Sequence, residues 1–263
     1  MKTQTIIPHP TILNYVSHIV VIENNNIYHE AILPLIANGY PSITFQITDT
    51  GLSISNNKKM DSLVLYGQNI KPIELHTRGY VIIIAYFLYP HMLKALFGID
   101  AKELTNISID LNYSEPARSM SLQEQLLNTI SLDKRLQLMN NYVLKLADRY
   151  KPGINNTISF AAQAIQKSRG LISLTHVQQE FFVTERTLQR MFELHVGVSP
   201  KTFSRICQFH YALQQLSQNQ FTGMTDIAFE SGYADQSHLI RTFKEFTNYT
   251  PLEYFKSASE FPR

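Results

Sequence analysis

Two short rows of side chains stand out for the chemistry they can do. Arg186, Gln189 and Arg190 recur at helical spacing, and Gln236, Ser237, His238, Arg241 and Lys244 do so fifty residues later. A guanidinium offers paired N–H donors that match the O6 and N7 edge of guanine. A carboxamide offers the donor and acceptor that match adenine. Such groups at the start of a helix lying in a major groove can read bases, whereas a lysine nearby takes a phosphate. A polar helix face is usually only a solvated face, however, so the elements holding the rows must decide.

Around the second row, Thr225 is placed to cap a helix over Asp226–Ser231. Ala228 and Gly232 supply the small residue and the left-handed turn residue that two helices joined at a tight corner need. Asp235 can then cap the next helix, Gln236–Lys244, by accepting from its free backbone N–H groups. Leu239, Phe243 and Phe246 turn inward on it. Around the first row, Ser173 opens a helix with Leu174, Val177 and Phe181 inward. Thr184 caps the next, over 184–192, with Leu188, Met191 and Phe192 inward. The two helix pairs, near 173–194 and 225–247, form a weak internal repeat.

Between them Ser199-Pro200 starts a long helix, proline at the first helical position being pre-set for it. Its apolar residues predict two faces, Phe203, Ile206, Cys207 and Leu213 on one and Phe209, Ala212 and Leu216 on the other. A helix apolar on two sides is a connector between two lobes.

The run from about Leu171 to Phe255 resembles the DNA-binding domain of the AraC/XylS transcription regulators. The resemblance is carried by Asp226-Ile227-Ala228-Phe229-Glu230-Ser231-Gly232-Tyr233-Ala234-Asp235-Gln236-Ser237-His238-Leu239-Ile240-Arg241-Thr242-Phe243-Lys244, then Phe246, Thr250-Pro251 and Tyr254. Thr184 to Phe192 and Gly197-Val198-Ser199-Pro200 match the first half of the pattern. The resemblance implies seven helices in two helix-turn-helix lobes whose recognition helices enter successive major grooves. It implies that Thr184, Arg186, Gln189, Arg190, Gln236, Ser237, His238 and Arg241 lie at the DNA, with Lys244 nearer the phosphates. Gln178 stands where the first lobe usually has a small residue and Phe182 where its turn usually has glycine, so that lobe is expected to close less tightly. Gln208 stands where the connector commonly has arginine, and Asn248 replaces a frequent glycine.

The first hundred residues read mostly as strands. Ser42 to Thr48 alternates polar and apolar, the pattern of a half-buried strand with its polar side in water. Ser62–Tyr66 and Tyr80–Leu88 are further strands, separated by glycine turns, as in a small antiparallel sandwich or barrel. After Pro90 a short helix, 91–97, stops at Gly98. Ser121-Leu122-Gln123-Glu124 has the form of a capping box. Leu132, Leu136, Met139, Val143 and Leu146 form one helical stripe, suited either to the chain's own sheet or to a coiled-coil seam with a second copy. Asn155-Asn156-Thr157 reads as a linker. This front part is similar to one group of β-rich N-terminal domains in such regulators, which implies a sensing or dimerisation role with no assigned ligand residues.

Composition bounds the alternatives. The chain has 263 residues, 44% hydrophobic and 17% charged, ordinary values for a folded protein. Its net charge of +2 nominates no polyanion: ten Lys and Arg stand against nine Asp and Glu from residue 160 onward, thirteen against twelve before it. Cys207 is the only cysteine, which excludes an intramolecular disulfide and a cysteine-based zinc cluster. On the connector's apolar face it reads as a small hydrophobe rather than a reactive thiol. His29 and His76 invite a cupin-type metal site, but the usual His-x-His spacing is missing. No nucleophile elbow, phosphate-binding loop or carboxylate pair appears. Val81–Tyr89 is too short to span a bilayer, and the start of the chain lacks an apolar signal core, so a cytoplasmic bacterial protein is expected.

The resulting expectation is an α+β chain. It combines a β-rich, cupin-like barrel or sandwich over 1–110, a helical connection over 111–157, and an all-α double helix-turn-helix domain over 158–263. The function expected is sequence-specific transcription regulation, as an activator, through double-stranded DNA. A small-molecule effector, RNA polymerase and a second copy are candidate partners, with no cofactor, no metal, no membrane and no enzymatic activity. The alternative is a cupin-like metalloenzyme with a helical interaction tail.

Overall fold

The computed structural model describes residues 2–24, 30–54, 58–150, 155–218 and 223–258. Among the described residues the β-rich half has ten strands: β1 (Lys2–Ile6), β2 (Val16–Asn24), β3 (Glu30–Leu35), β4 (Ser42–Thr48), β5 (Ser53–Ile54), β6 (Lys58–Lys59), β7 (Leu63–Tyr66), β8 (Ile73–Arg78), β9 (Val81–Leu88) and β10 (Ser108–Asp110). They form a six-stranded sheet in the order β1-β2-β9-β4-β7-β10 and a four-stranded sheet in the order β3-β8-β5-β6. The described strand pairs are antiparallel. The larger sheet is open, with β1 and β10 at its edges, so the arrangement is a sandwich and not a closed barrel.

Alternation along the central strands gives the larger sheet two buried faces. Ile43 and Phe45 of β4, and Ile82, Ile84, Tyr86 and Leu88 of β9, belong to one core. That core is completed by α1 (Met92–Phe97), α2 (Glu115–Ser119), α3 (Leu122–Asn128) and α4 (Leu132–Tyr150). The stripe on α4 lies here: Met139, Val143 and Leu146 are buried on the chain's own sheet, and the Tyr86 hydroxyl donates to the Leu136 carbonyl at 3.0 Å. The opposite face of β4 carries Ser42, Thr44 and Gln46. They are 6%, 5% and 4% exposed, not solvated as the alternation suggested. They face inward because the smaller sheet covers them.

Two helix starts differ from expectation. Ser121 precedes α3 but holds a left-handed φ of 44° and makes no side-chain cap bond, so the capping box does not form. Asn155 is no linker residue. It caps α5 (Asn156–Lys167), its side chain accepting from the Ile158 N–H at 3.3 Å, and Asn156 and Thr157 are already helical.

The remaining helices are α6 (Leu174–Glu180), α7 (Glu185–His195), α8 (Pro200–Ser217), α9 (Met224–Glu230), α10 (Gln236–Thr247) and α11 (Pro251–Ala258). They build two cores on either side of α8. Phe203 and Cys207 pack with α5, α6 and α7; Ile206, Phe209, Ala212, Leu213 and Leu216 pack with α9 and α10. Ile206 and Leu213 therefore lie on the second face rather than beside Phe203, because steps of three and four from 206 run through 209, 213 and 216.

Candidate nucleic-acid interface

Both helix pairs are built on the same corner. In the second, the N–H of Gly232 donates to Phe229 O at 3.0 Å and that of Tyr233 to Ala228 O at 2.8 Å. In the first, Phe182 donates to Gln179 O at 3.3 Å and Val183 to Gln178 O at 3.0 Å. The residue fifty positions before Gly232 is thus Phe182, and both are left-handed, at φ 77° and 53°. The first corner closes with the same bonds despite Gln178 and Phe182, against the looser lobe expected. The reason is that Phe182 points its ring into solvent, 96% exposed, so only the backbone bears the cost. Asn248 likewise adopts the left-handed conformation, at φ 67°, ending α10 as glycine would.

The caps fix where each exposed row begins. Thr184 accepts from the Thr187 N–H at 3.2 Å, and Asp235 from the His238 N–H at 2.7 Å. Thr225 does not cap. It lies inside α9, which starts after Gly223 without a side-chain cap bond. Ser173 precedes α6 without a cap bond too. Leu188 and Phe192 of α7, and Leu239, Phe243 and Phe246 of α10, are buried and lock both helices to α8. The Arg205 guanidinium grips Glu245 of α10 with two bonds, at 3.1 and 2.5 Å, and lies over the Phe246 ring.

With the inward side chains anchored, the rows are left outside. Thr184, Arg186, Gln189, Arg190, Gln236, Ser237, Arg241 and Lys244 are exposed, and His238 is half-buried against the Tyr233 ring, 5.1 Å between centroids. Among the described residues, Arg186, Arg190 and Arg241 form no salt bridge. Gln189 is held by Glu193, Nε2 to Oε1 3.0 Å. These rows can meet base edges and phosphates without first giving up an internal ion pair.

The contacts that seat the helical half on the β-rich half include three places. Thr105 donates to the Gly197 carbonyl at 2.6 Å, beside the end of α7, and the Tyr249 hydroxyl donates to Glu74 Oε1 at 2.8 Å. The third place is the segment between β3 and β4. Ala37 is fully buried inside the core of the second helix pair. Gly39, at φ 80°, lies against Phe203 and Ile206, where a Cβ would sit 3.4 Å from Phe203 Cε2. Their neighbours Ile36, Asn38 and Tyr40 line a cavity of about 370 Å³, and Ile36 also packs on the core of the second helix pair.

That cavity lies between the two sheets. Its walls include Val20, Ile22, Leu33, Leu35, Leu75, Ile83, Ala85 and Phe87, the polar row Ser42, Thr44 and Gln46, and Tyr254 of α11. Asn38 and Tyr40 also line a polar cleft of about 430 Å³ against α5 and α8, where Cys207 and Arg169 lie. Burial pushes the Cys207 thiol up to about 12, so it stays protonated and unreactive. Sequence reading expected a small molecule held within the β-rich half but assigned no residues to the cavity. The signal for it was the polar side of β4, a strand flanked in the sheet by β9 and β7. His76 lies 3.9 Å from Glu74, and His29 is outside the described residues. Among the described residues no three His, Cys, Asp or Glu side chains gather as a metal site would need.

Comparison with known proteins agrees with this geometry. Residues 178–257 match a family model described as a helix-turn-helix domain, and residues 4–110 one described as a domain of unknown function (DUF6597). A curated relative, an "Uncharacterized HTH-type transcriptional regulator" of Haemophilus influenzae, is 26% identical over 179 residues. A crystal structure of ToxT from Vibrio cholerae superposes over 97% of this chain and 98% of its own, with a TM-score of 0.53 at 12% identity. The helix-turn-helix match, the HTH-type relative and the ToxT-like fold together support an AraC/XylS-type regulator. A second ToxT structure, described as bound to (E)-4-(8-methylnaphthalen-1-yl)but-3-enoic acid, covers 97% and 99% with a TM-score of 0.52 at 13% identity. The match to the curated relative is partial, 63% of this chain and 59% of that one. The structural likeness, by contrast, runs through both halves. No described helix is long and apolar enough to cross a membrane.

Proposed function

We propose that the chain is a sequence-specific DNA-binding transcription regulator whose β-rich half senses a small molecule. The observation carrying this is the pair of exposed side-chain rows on α7 and α10, each anchored to one side of α8. Arg186, Gln189 and Arg190 would read one major-groove segment, and Gln236, Ser237, His238 and Arg241 the next, about 10 base pairs along. Thr184 and Lys244 would hold phosphates and set the salt dependence. In this division residues 1–110 sense, 111–157 connect and 158–263 bind DNA in the cytoplasm; contact with RNA polymerase, activation and pairing with a second copy belong to the same proposal. No catalytic role is assigned to any side chain.

The sensing part rests on the cavity and on the Ile36–Tyr40 segment. Ile36, Asn38 and Tyr40 line the cavity and also meet the helical half, and Ala37 and Gly39 between them press on it, so a molecule that displaces the segment also moves its contacts with the helices. A ligand that favours one seating over the other shifts DNA affinity by its differential affinity for the two. The ToxT structure described with a naphthyl-butenoic acid supports a small-molecule ligand for this fold. Selection of sites from random DNA with the full chain tests the reading. Two conserved blocks about one helical turn apart are expected; recovery of no consensus, with binding indifferent to sequence, would refute it.

A further inference from the structure

The cavity wall has a chemical character of its own. Apolar side chains from both sheets surround it; Thr3, Asn38, Tyr40 and Tyr254 add polar groups at other points, and one continuous polar line is formed by Ser42, Thr44 and Gln46 of β4, with Tyr66 of β7 and Asn69 beside it. Ser42 and Tyr66 are direct partners in the β4–β7 ladder, so the line continues across two strands. Among the described residues that line the cavity there is no lysine, arginine, histidine, aspartate or glutamate. His18, stacked on Phe87 with centroids 4.6 Å apart, is shifted by burial toward the neutral form.

Three polar atoms of residues lining this wall have no hydrogen-bond partner among the described residues: Gln46 Oε1, Tyr66 Oη and Asn69 Oδ1. The Gln46 amide is oriented by Asp61, whose carbonyl accepts from Nε2 at 2.6 Å, leaving its oxygen as a free acceptor. The Tyr66 phenol, 5% exposed and kept protonated by burial, is a free donor. Buried polar groups normally find partners, and each one left alone costs stability. An ionised ligand here would lose its hydration with no opposite charge to replace it, a penalty far larger than hydrogen bonds to neutral groups return.

We infer that the cavity takes an uncharged, mostly apolar molecule with a hydroxyl or carbonyl edge, which gives and accepts hydrogen bonds along the Gln46–Tyr66–Asn69 line. A carboxylate, as in the acid described with ToxT, is excluded unless it enters protonated. This deepens, and rests on, the reading of the cavity as the sensing site. A hydroxyl donates to Gln46 Oε1 or Asn69 Oδ1, and a carbonyl accepts from the Tyr66 phenol. The apolar remainder fills the space between Leu33, Leu75, Ile83 and Phe87.

Four probes of one chain length test it on the full-length protein: decan-1-ol, methyl decanoate, decanoic acid and decylamine, titrated calorimetrically between pH 6 and 8. The alcohol and ester are expected to bind with pH-independent affinity. The apparent affinity of the acid is expected to fall about tenfold per pH unit, because only its neutral form enters. Gln46→Leu should weaken the alcohol roughly threefold to tenfold and spare the ester, while Tyr66→Phe should do the reverse. Decanoate binding tighter than decanol at pH 8, without pH dependence, would overturn the uncharged class and leave the sensing role standing. Failure of all four to bind, with an Ala85→Phe cavity-filling variant still regulated as the parent is, would overturn the sensing role as well.

Discussion

Phe182 and Gly232 occupy the same place in two corners fifty residues apart, and both are left-handed. Glycine does this without steric cost, whereas a residue with a Cβ pays roughly 1–2 kcal/mol there. The Phe182 ring is in solvent and returns nothing in burial. Phe182→Gly should therefore stabilise the chain by about 0.5–1 kcal/mol, after glycine's greater freedom in the unfolded state is subtracted. Gly232→Ala should cost about 1–2 kcal/mol for the left-handed backbone, and more for the shift forced on Leu171, whose Cδ2 would overlap the new Cβ. Urea unfolding midpoints measure both, and a lower midpoint for Phe182→Gly would contradict the turn argument.

Ala37 belongs by sequence to the β-rich half and by packing to the second helix pair. With no exposed surface, it leaves no room for added methylenes, so Ala37→Leu should cost about 1–3 kcal/mol. The strain should appear as faster amide exchange in α8 and α9, well away from the substitution in sequence. Unchanged exchange there would show that the two halves are not mechanically joined at this point.

Arg190→Ala and Arg241→Ala should each relax base preference at a different block of the selected DNA site. Loss of one bidentate contact is worth about 1–3 kcal/mol of discrimination at that base pair. Lys244→Ala should instead weaken all sequences alike and reduce the salt slope by about one. Binding to shuffled and selected sites, compared at two salt concentrations, separates the two behaviours. Uniform weakening by the arginine variants would assign them to phosphates.

His91 is buried at the start of α1, and burial, reinforced by the nearby charge of His195, lowers its pKa to about 4. Lys94 and Asp100 are the other charged groups around His195. In the unfolded chain the imidazole titrates near 6.5. Between those values the unfolded state holds a proton that the folded state does not. Stability is therefore full above 6.5 and is lost as pH falls toward 4, by at most about 1.4 kcal/mol per unit from this group. His91→Gln should make that acid limb shallower in denaturant titrations at successive pH values, with His210, also lowered to about 4 by burial, among the groups supplying the rest; an unaltered limb would place the proton uptake elsewhere.

Local chemistry written in consecutive residues determined much of this protein. The Asp235 and Thr184 caps, the Ala228–Gly232 spacing, Ser199-Pro200 and the inward rows Leu188–Phe192 and Leu239–Phe246 specify the corners and leave the polar rows outside. These depend on helical period and on hydrogen bonds spanning a few positions, both visible along the chain.

Only the tertiary structure decided what covers each face. Strand alternation says that Ser42, Thr44 and Gln46 share a side, but not whether water or a second sheet lies over it, because the covering residues come from β3 and β8. The same holds for the α4 stripe, which fits its own sheet or another copy equally well by period. It also holds for Ala37 and Gly39, whose neighbours on α8 lie far along the chain. Period is a local property; which surface meets which is settled by contacts between residues remote in sequence.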